Sequence, residues 1–151
     1  MTNDLRVEKH QEQVSLFLAD GMVIEGVVFL AQYALHHSGE QTVLDLLLEN
    51  DPFLPMKDQN GDLHLVRKGM VSHVRCPVEL EPGLEYIKRQ VRICFLGNEV
   101  LQGEARMALP ANRARLADYI NDGSEFFPLF SGDNAYLVNR SLIRDIVLID
   151  R

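Results

Sequence analysis

Cysteine, cationic charge and long apolar runs are all scarce in this chain, and each shortage removes a class of function. The two cysteines, Cys76 and Cys94, belong to no CxxC pair. A disulfide scaffold or a zinc-ribbon framework is therefore not expected, and both are read as buried thiols of a cytoplasmic protein. Asp and Glu outnumber Lys and Arg by 22 to 15, for a net charge of −7. The imbalance is uneven: residues 1–76 hold 6 Lys/Arg against 11 Asp/Glu, and residues 77–151 hold 9 against 11. Neutralising phosphates needs a dense cationic face, so nucleic acid is not an expected partner. Apolar stretches such as VVFLA and VLDLLL fall far short of the roughly 20 residues of a membrane-spanning helix. The opening MTNDLRVEKHQEQ is polar throughout and unlike a secretory signal. The expectation is a cytoplasmic protein with no membrane partner.

What the chain does contain is a repeat. VSLFLADGMVIEG (14–26) is answered by VRICFLGNEVLQG (91–103), LDLLLENDPFLPM (44–56) by ADYINDGSEFFPL (117–129), and LVRKGMVSHV (65–74) by LVNRSLIRDI (137–146). The offset runs 77, then 73, then 72, so length differences fall in two loops, as two copies of one small fold require. The expected organisation is a flexible arm (1–12), a first barrel repeat (13–76), a linker (77–90) and a second barrel repeat (91–151). Units of roughly 60 residues bury too little surface to be stable alone. The copies should therefore pack on each other or on a second chain.

Each copy reads strand, strand, helix, strand, strand, strand. Residues 13–19 alternate apolar and polar, Asp20-Gly21 signals a hairpin turn, and 22–31 continue as a long apolar strand. Helical spacing of Val43, Leu44, Leu47 and Leu48 predicts a helix within 38–50, and Leu116, Tyr119 and Ile120 predict its counterpart within 112–121. Pro55 and Pro128 confine the FLP and FFP strands to an edge or an end, because proline cannot donate to a ladder. Gly26 and Gly103, matched inside the second strand of each copy, predict a bend or a close backbone approach. The fold class is mainly β, a curled barrel with one short helix per repeat, in two tandem copies. Val14, Leu16, Leu18, Ile24, Leu47, Val71 and Val74 are the expected core of the first copy. Val91, Ile93, Phe95, Leu101, Ile120, Ile143 and Ile146 are that of the second.

The pattern Val14-x-Leu16-x-Leu18-x-Asp20-Gly21-x-x-Ile24-x-Gly26 resembles the first motif of Sm-like proteins. Arg67, Val71 and Val74 resemble the spacing of their second, with the usual glycine displaced to Gly69. The resemblance covers about half of each copy and implies a small SH3-like or Sm-like barrel, similar to small uncharacterised bacterial proteins of this type. RNA-binding members carry an aspartate and a polar residue shortly after the second-strand glycine. This chain has VVFLAQYALHH after Gly26 and EARMALPANR after Gly103, so the resemblance does not bring RNA binding with it.

Candidate sites are few. His36 and His37 are adjacent, and in an extended segment they point apart. His64 and His73 would face each other across a hairpin if Lys68-Gly69 were a two-residue turn, and two cross-strand imidazoles could then supply half a zinc site. Their counterparts Tyr136 and Asp145 show that the scaffold does not need them. No metal and no cofactor is expected. Asp45 and Asp118 match between copies and suit structural hydrogen bonds. No nucleophile has a base partner in sequence, and no GxSxG, P-loop or dinucleotide glycine pattern occurs, so catalysis is not expected. Arg106, Arg113 and Arg115, with Arg89 and Arg92 nearby in sequence, form one cationic concentration that could meet an anion or a partner. The expected function is a non-enzymatic interaction or assembly module that pairs with a protein partner or with itself, most simply as a dimer. Its rivals are an RNA-associated Sm-like protein and a small-ligand or metal-binding regulator.

Overall fold

Period-two alternation becomes strand nearly everywhere it occurs. The computed structural model describes residues 9–32, 34, 39–108 and 115–150. In chain order its elements are β1 (Lys9–Leu18), β2 (Val23–Ala31), α1 (Val43–Leu48), β3 (Phe53–Asp58), β4 (Leu63–Arg67) and β5 (Val71–Arg75), followed by β6 (Ile87–Phe95), β7 (Val100–Met107), α2 (Leu116–Asp122), β8 (Phe126–Ser131), β9 (Asn134–Asn139) and β10 (Ile143–Leu148). All ten strands join one antiparallel sheet in the order β10-β6-β7-β8-β9-β5-β1-β2-β3-β4. The protein is mainly β. None of its described helices is long and apolar enough to cross a membrane.

The strands begin earlier than the spacing suggests. β1 takes in Lys9 to Glu12, pairing Lys9 with Ala31 and Glu12 with Val28, so four residues assigned to a flexible arm are ladder. β6 likewise starts at Ile87, inside the expected linker, and pairs it with Met107. α1 is shorter than the expected window 38–50 and spans just its apolar positions, Val43 to Leu48. Thr42 starts α1 as one half of a capping box: its hydroxyl accepts from Asp45 N at 3.1 Å while the Asp45 carboxylate accepts from Thr42 N at 2.8 Å. That reciprocal pair satisfies two of the amides a helix start leaves open. α2 begins after Arg115 with no side-chain cap.

Neither proline lies on an edge strand, which corrects the placement expected for Pro55 and Pro128. β3 and β8 sit inside the sheet. β3 meets β2 only from Met56 onward, and β8 meets β7 only at Phe130. Each proline therefore faces an unpaired stretch, where its missing N–H breaks no ladder bond. The matched glycines lie at those same crossings. A Cβ on Gly26 would run into the Lys57 carbonyl and stand 2.8 Å from Asp58 Cα; one on Gly103 would stand 2.6 Å from the Phe130 carbonyl.

Two apolar clusters make the core. The first holds Val14, Leu16, Leu18, Ile24, Leu47, Val71 and Val74, all buried, and takes in Phe126 and Leu137 from the second half of the chain. In the second, Val91, Ile93 and Phe95 are buried, whereas Leu101, Ile120, Ile143 and Ile146 pack against them only partly covered.

Candidate functional site

The sheet has a centre where its halves meet and two ends where pairing stops. At the centre β5 pairs with β9, placing His73 opposite Val138, Val74 opposite Leu137 and Arg75 opposite Tyr136. The buried Asn139 side chain donates to the Val71 carbonyl at 2.9 Å, and Cys76 N donates to the Ala135 carbonyl at 3.2 Å. His73 is a buried titratable residue of this joint. Its ring stacks between Phe17 at 4.3 Å and Phe95 at 4.9 Å, with Tyr136 edge-on at 5.8 Å. Ser72 Oγ spends its proton on the Phe17 carbonyl and lies 2.9 Å from His73 Nδ1, so the imidazole is the donor of that pair. Burial disfavours the charged ring and lowers its pKa to about 4. His73 is a neutral packing residue.

His64 is elsewhere. β4 pairs with β3, setting His64 opposite Met56, while β5 leaves to pair with β1 and β9. The hairpin that would have faced His64 with His73 does not form, because Lys68–Met70 is a 3-10 turn that carries the chain away from β4. His64 Nε2 instead lies 2.7 Å from Asp58 Oδ2, whose carboxylate also accepts from the amides of Asn60 and Asp62. The His64 hydrogen bond, followed by that of the Asp62 amide, holds the Asp58 carboxyl below its ordinary range. This is turn chemistry. Among the described residues, no group of three or more His, Cys, Asp or Glu is placed to hold a metal.

Two of the arginines are held in local ion pairs. Arg106 Nε donates to Glu104 at 2.7 Å and its guanidinium lies over the Phe130 ring at 4.0 Å. Arg115 opens α2, and it does not line the shallow groove that Arg106 shares with Gln90, Gln102 and Phe130. Arg113, His36 and His37 lie outside the described residues. Arg89 lies 3.8 Å from Asp150. Asp45 is used in the α1 cap, and Asp118 sits in the first turn of α2. Burial, then the charge of Glu12, raises the Cys76 thiol to about 12, far from the reactive thiolate range.

Large apolar side chains are exposed at the β1–β2 turn (Met22, Val23), at the β6–β7 turn (Leu96, Val100) and at the two ends of the sheet. β4 exposes Leu63 (65%) and Leu65 (67%), beside Phe53 (40%) on β3. At the other end β10 exposes Leu148 (48%) and leaves Ile143 and Ile146 half-covered. Next to β10 a groove of about 590 Å3 is lined by Leu116, Ala117 and Ile120 of α2 together with Ile143 and Ile146. Edge strands present unpaired amides and carbonyls, and natural proteins usually blunt them with charge or cover. Exposed apolar side chains on an edge strand are the kind of surface that natural proteins usually cover.

Sequence reasoning missed a matched pair of cations that hold the helices in place. Lys68 Nζ donates to the Glu49 carbonyl at 3.0 Å, just past α1, and the Arg140 guanidinium donates to the Ile120 and Asn121 carbonyls at 3.1 and 2.9 Å in α2. Both cations cover carbonyls that a helix end leaves open. The signal was present: a cation recurs at the same place in both halves. No family model, no curated protein and no solved structure matches the chain.

Proposed function

We propose that this chain is a non-enzymatic, cytoplasmic protein-interaction and assembly module built from two tandem barrels of the Sm-like or SH3-like kind. The observation that carries the reading is the pair of sheet ends, each an edge strand among the described residues that bears exposed apolar side chains where a further strand could add.

Matched local bonds support the tandem part. Leu18 N donates to Met22 O as Phe95 N does to Glu99 O, and Ala19 N donates to Met70 O as Leu96 N does to Leu142 O. Lys68 N donates to Pro52 O as Arg140 N does to Glu125 O. The hairpin turn keeps a positive φ in both, at Gly21 (91°) and Asn98 (68°). In each half the fifth strand lies beside the first, giving β5-β1-β2-β3-β4 and β10-β6-β7-β8-β9. That order suits a curled small barrel, in which the last strand returns to the first.

The test is affinity capture with the full chain, comparing wild type with Leu65→Lys and Leu148→Lys. The expected result is bound protein that is lost when either end is charged. Recovery of RNA instead, with binding that falls steeply as salt rises, would replace this reading with the RNA-associated one.

A further inference from the structure

A cavity of about 460 Å3 opens beside α1, between the first residues of β1 and the segment that leaves β5. Its floor is apolar. Leu30 of β2, Val43 of α1 and Val78 beyond β5 come from the first half, and Leu137 of β9 comes from the second. The cavity is therefore a product of the joint, because Leu137 reaches it through the pairing of β9 with β5. Hydrogen bonds tie its wall: Ala31 N donates to Gln41 Oε1 at 2.8 Å, and Gln41 N donates back to the Ala31 carbonyl at 3.1 Å. Thr42, next to it, is engaged in the α1 capping box. A fixed apolar floor of this size suits a small organic body.

The rim has one sign. Glu40 and Glu79 are exposed and Glu12 is half-buried, and no lysine or arginine is among the described residues that line the cavity. His10 Nε2 lies 3.8 Å from the Glu40 carboxylate. Glu12 and Glu79 have no ion-pair or hydrogen-bond partner for their side chains among the described residues. The fold does not require these charges. Glu12 pairs with Val28 as Arg89 pairs with Ala105, and Thr42 precedes α1 as Arg115 precedes α2. The second half thus carries arginine at two of the matching places, and one scaffold accepts either sign. Nor do the carboxylates converge on a point, since no group of three is placed to hold a metal ion among the described residues. A bare ion matches the rim alone, whereas a cation with an apolar body matches the rim and the floor together.

We propose that this cavity binds a small aliphatic ammonium ion. Its charged head lies among Glu12, Glu40 and Glu79, and its hydrocarbon chain lies on Leu30, Val43, Val78 and Leu137. The site goes beyond the interaction-module reading and does not depend on it. Because both halves line the cavity, a bound ligand also stabilises the joint.

Calorimetric titration of the full chain with propyl-, butyl-, pentyl- and hexylammonium at neutral pH is the test. Affinity should rise roughly fourfold with each added methylene, the gain from burying one such group. Hexanoate, equal in length and opposite in charge, should not bind. Glu12→Gln should weaken hexylammonium roughly tenfold, as the loss of one charged partner does. Glu12→Arg installs the residue that the second half carries there, and should abolish binding with an unchanged circular-dichroism spectrum. Glu99→Gln, which removes one carboxylate from the β6–β7 turn, should leave the affinity as it was. No saturable binding of hexylammonium at millimolar concentration overturns the proposal. So does an affinity that ignores chain length, or equal weakening by Glu12→Gln and Glu99→Gln, which would mark general attraction to net negative charge. Binding of a lysine-bearing peptide with none of the free amines overturns the small-ligand assignment.

Discussion

The two halves of this chain bury matching residues to different depths. Val71 and Val74 are fully buried, while Ile143 and Ile146 are half-covered. Leu47 is 4% exposed on α1, whereas no residue of α2 is fully buried. The second half is no less apolar at these positions. Among the described residues its fifth strand lacks a second neighbour, which the first half receives from β9. Burial in a repeat belongs to the interface as much as to the unit.

The sharpest way to break that comparison is to put one charge on each side of it. Leu137→Lys forces an ammonium into the joint and should cost about 4 kcal/mol or more, as unpaired buried charges do. Leu65→Lys, at the matching exposed position, should stay within about 0.5 kcal/mol of wild type when measured where the chain is monomeric. Urea midpoints of the two variants check this, and equal losses would mean that the halves are not related by a shared interface.

Truncation sharpens it. Leu47→Ala should cost about 2–5 kcal/mol, the range for emptying a closed site. Ile120→Ala should cost about half as much, because its side chain is already partly in water. Thermal unfolding of both variants at low concentration makes the comparison, and an equal cost would show that α2 is as well covered as α1.

Acid should loosen the joint through His73. The unfolded chain takes up a proton near pH 6.5, and the stacked ring refuses it until about pH 4. Stability from this residue is therefore complete above pH 6.5 and falls as the pH drops toward 4, by at most roughly 3 kcal/mol. Denaturant melts of wild type and His73→Phe across that window should diverge, with the wild type showing the steeper decline. Parallel profiles would remove His73 as the cause.

The smallest effect lies at the helix starts. Thr42→Ala breaks the α1 capping box and should cost about 1 kcal/mol. Arg115→Ser gives α2 the side-chain cap it lacks and should stabilise by up to about 1 kcal/mol. Opposite signs in chemical denaturation support the assignment.

Local patterns were legible in the residues, and non-local pairing was not. Alternation in 13–19 and 91–95 marked strands, and the apolar positions expected in the first core are all buried there, beside others such as Leu54, Met56 and Phe126 that the repeat did not single out. The apolar spacing located both helices, whereas the window 38–50 is wider than α1 because the boundary is set by the Thr42-x-x-Asp45 capping box rather than by Glu40 or Asn50. The His64–His73 hairpin failed for a different reason. Nothing within 64–73 reveals that β5 finds its partners in β1 and in β9, more than 50 residues away in either direction. The joint itself followed from the repeat only as a general need for cover. Which strands make it depends on the curvature of the whole sheet.

Hydrogen exchange resolved by residue, on the full chain, tests the central claim most directly. Backbone amides of β5 and β9 should be strongly protected, and those of Leu63–Arg67 and Ile143–Leu148 should exchange faster. Exchange at β4 and β10 as slow as at β5 and β9 would contradict it.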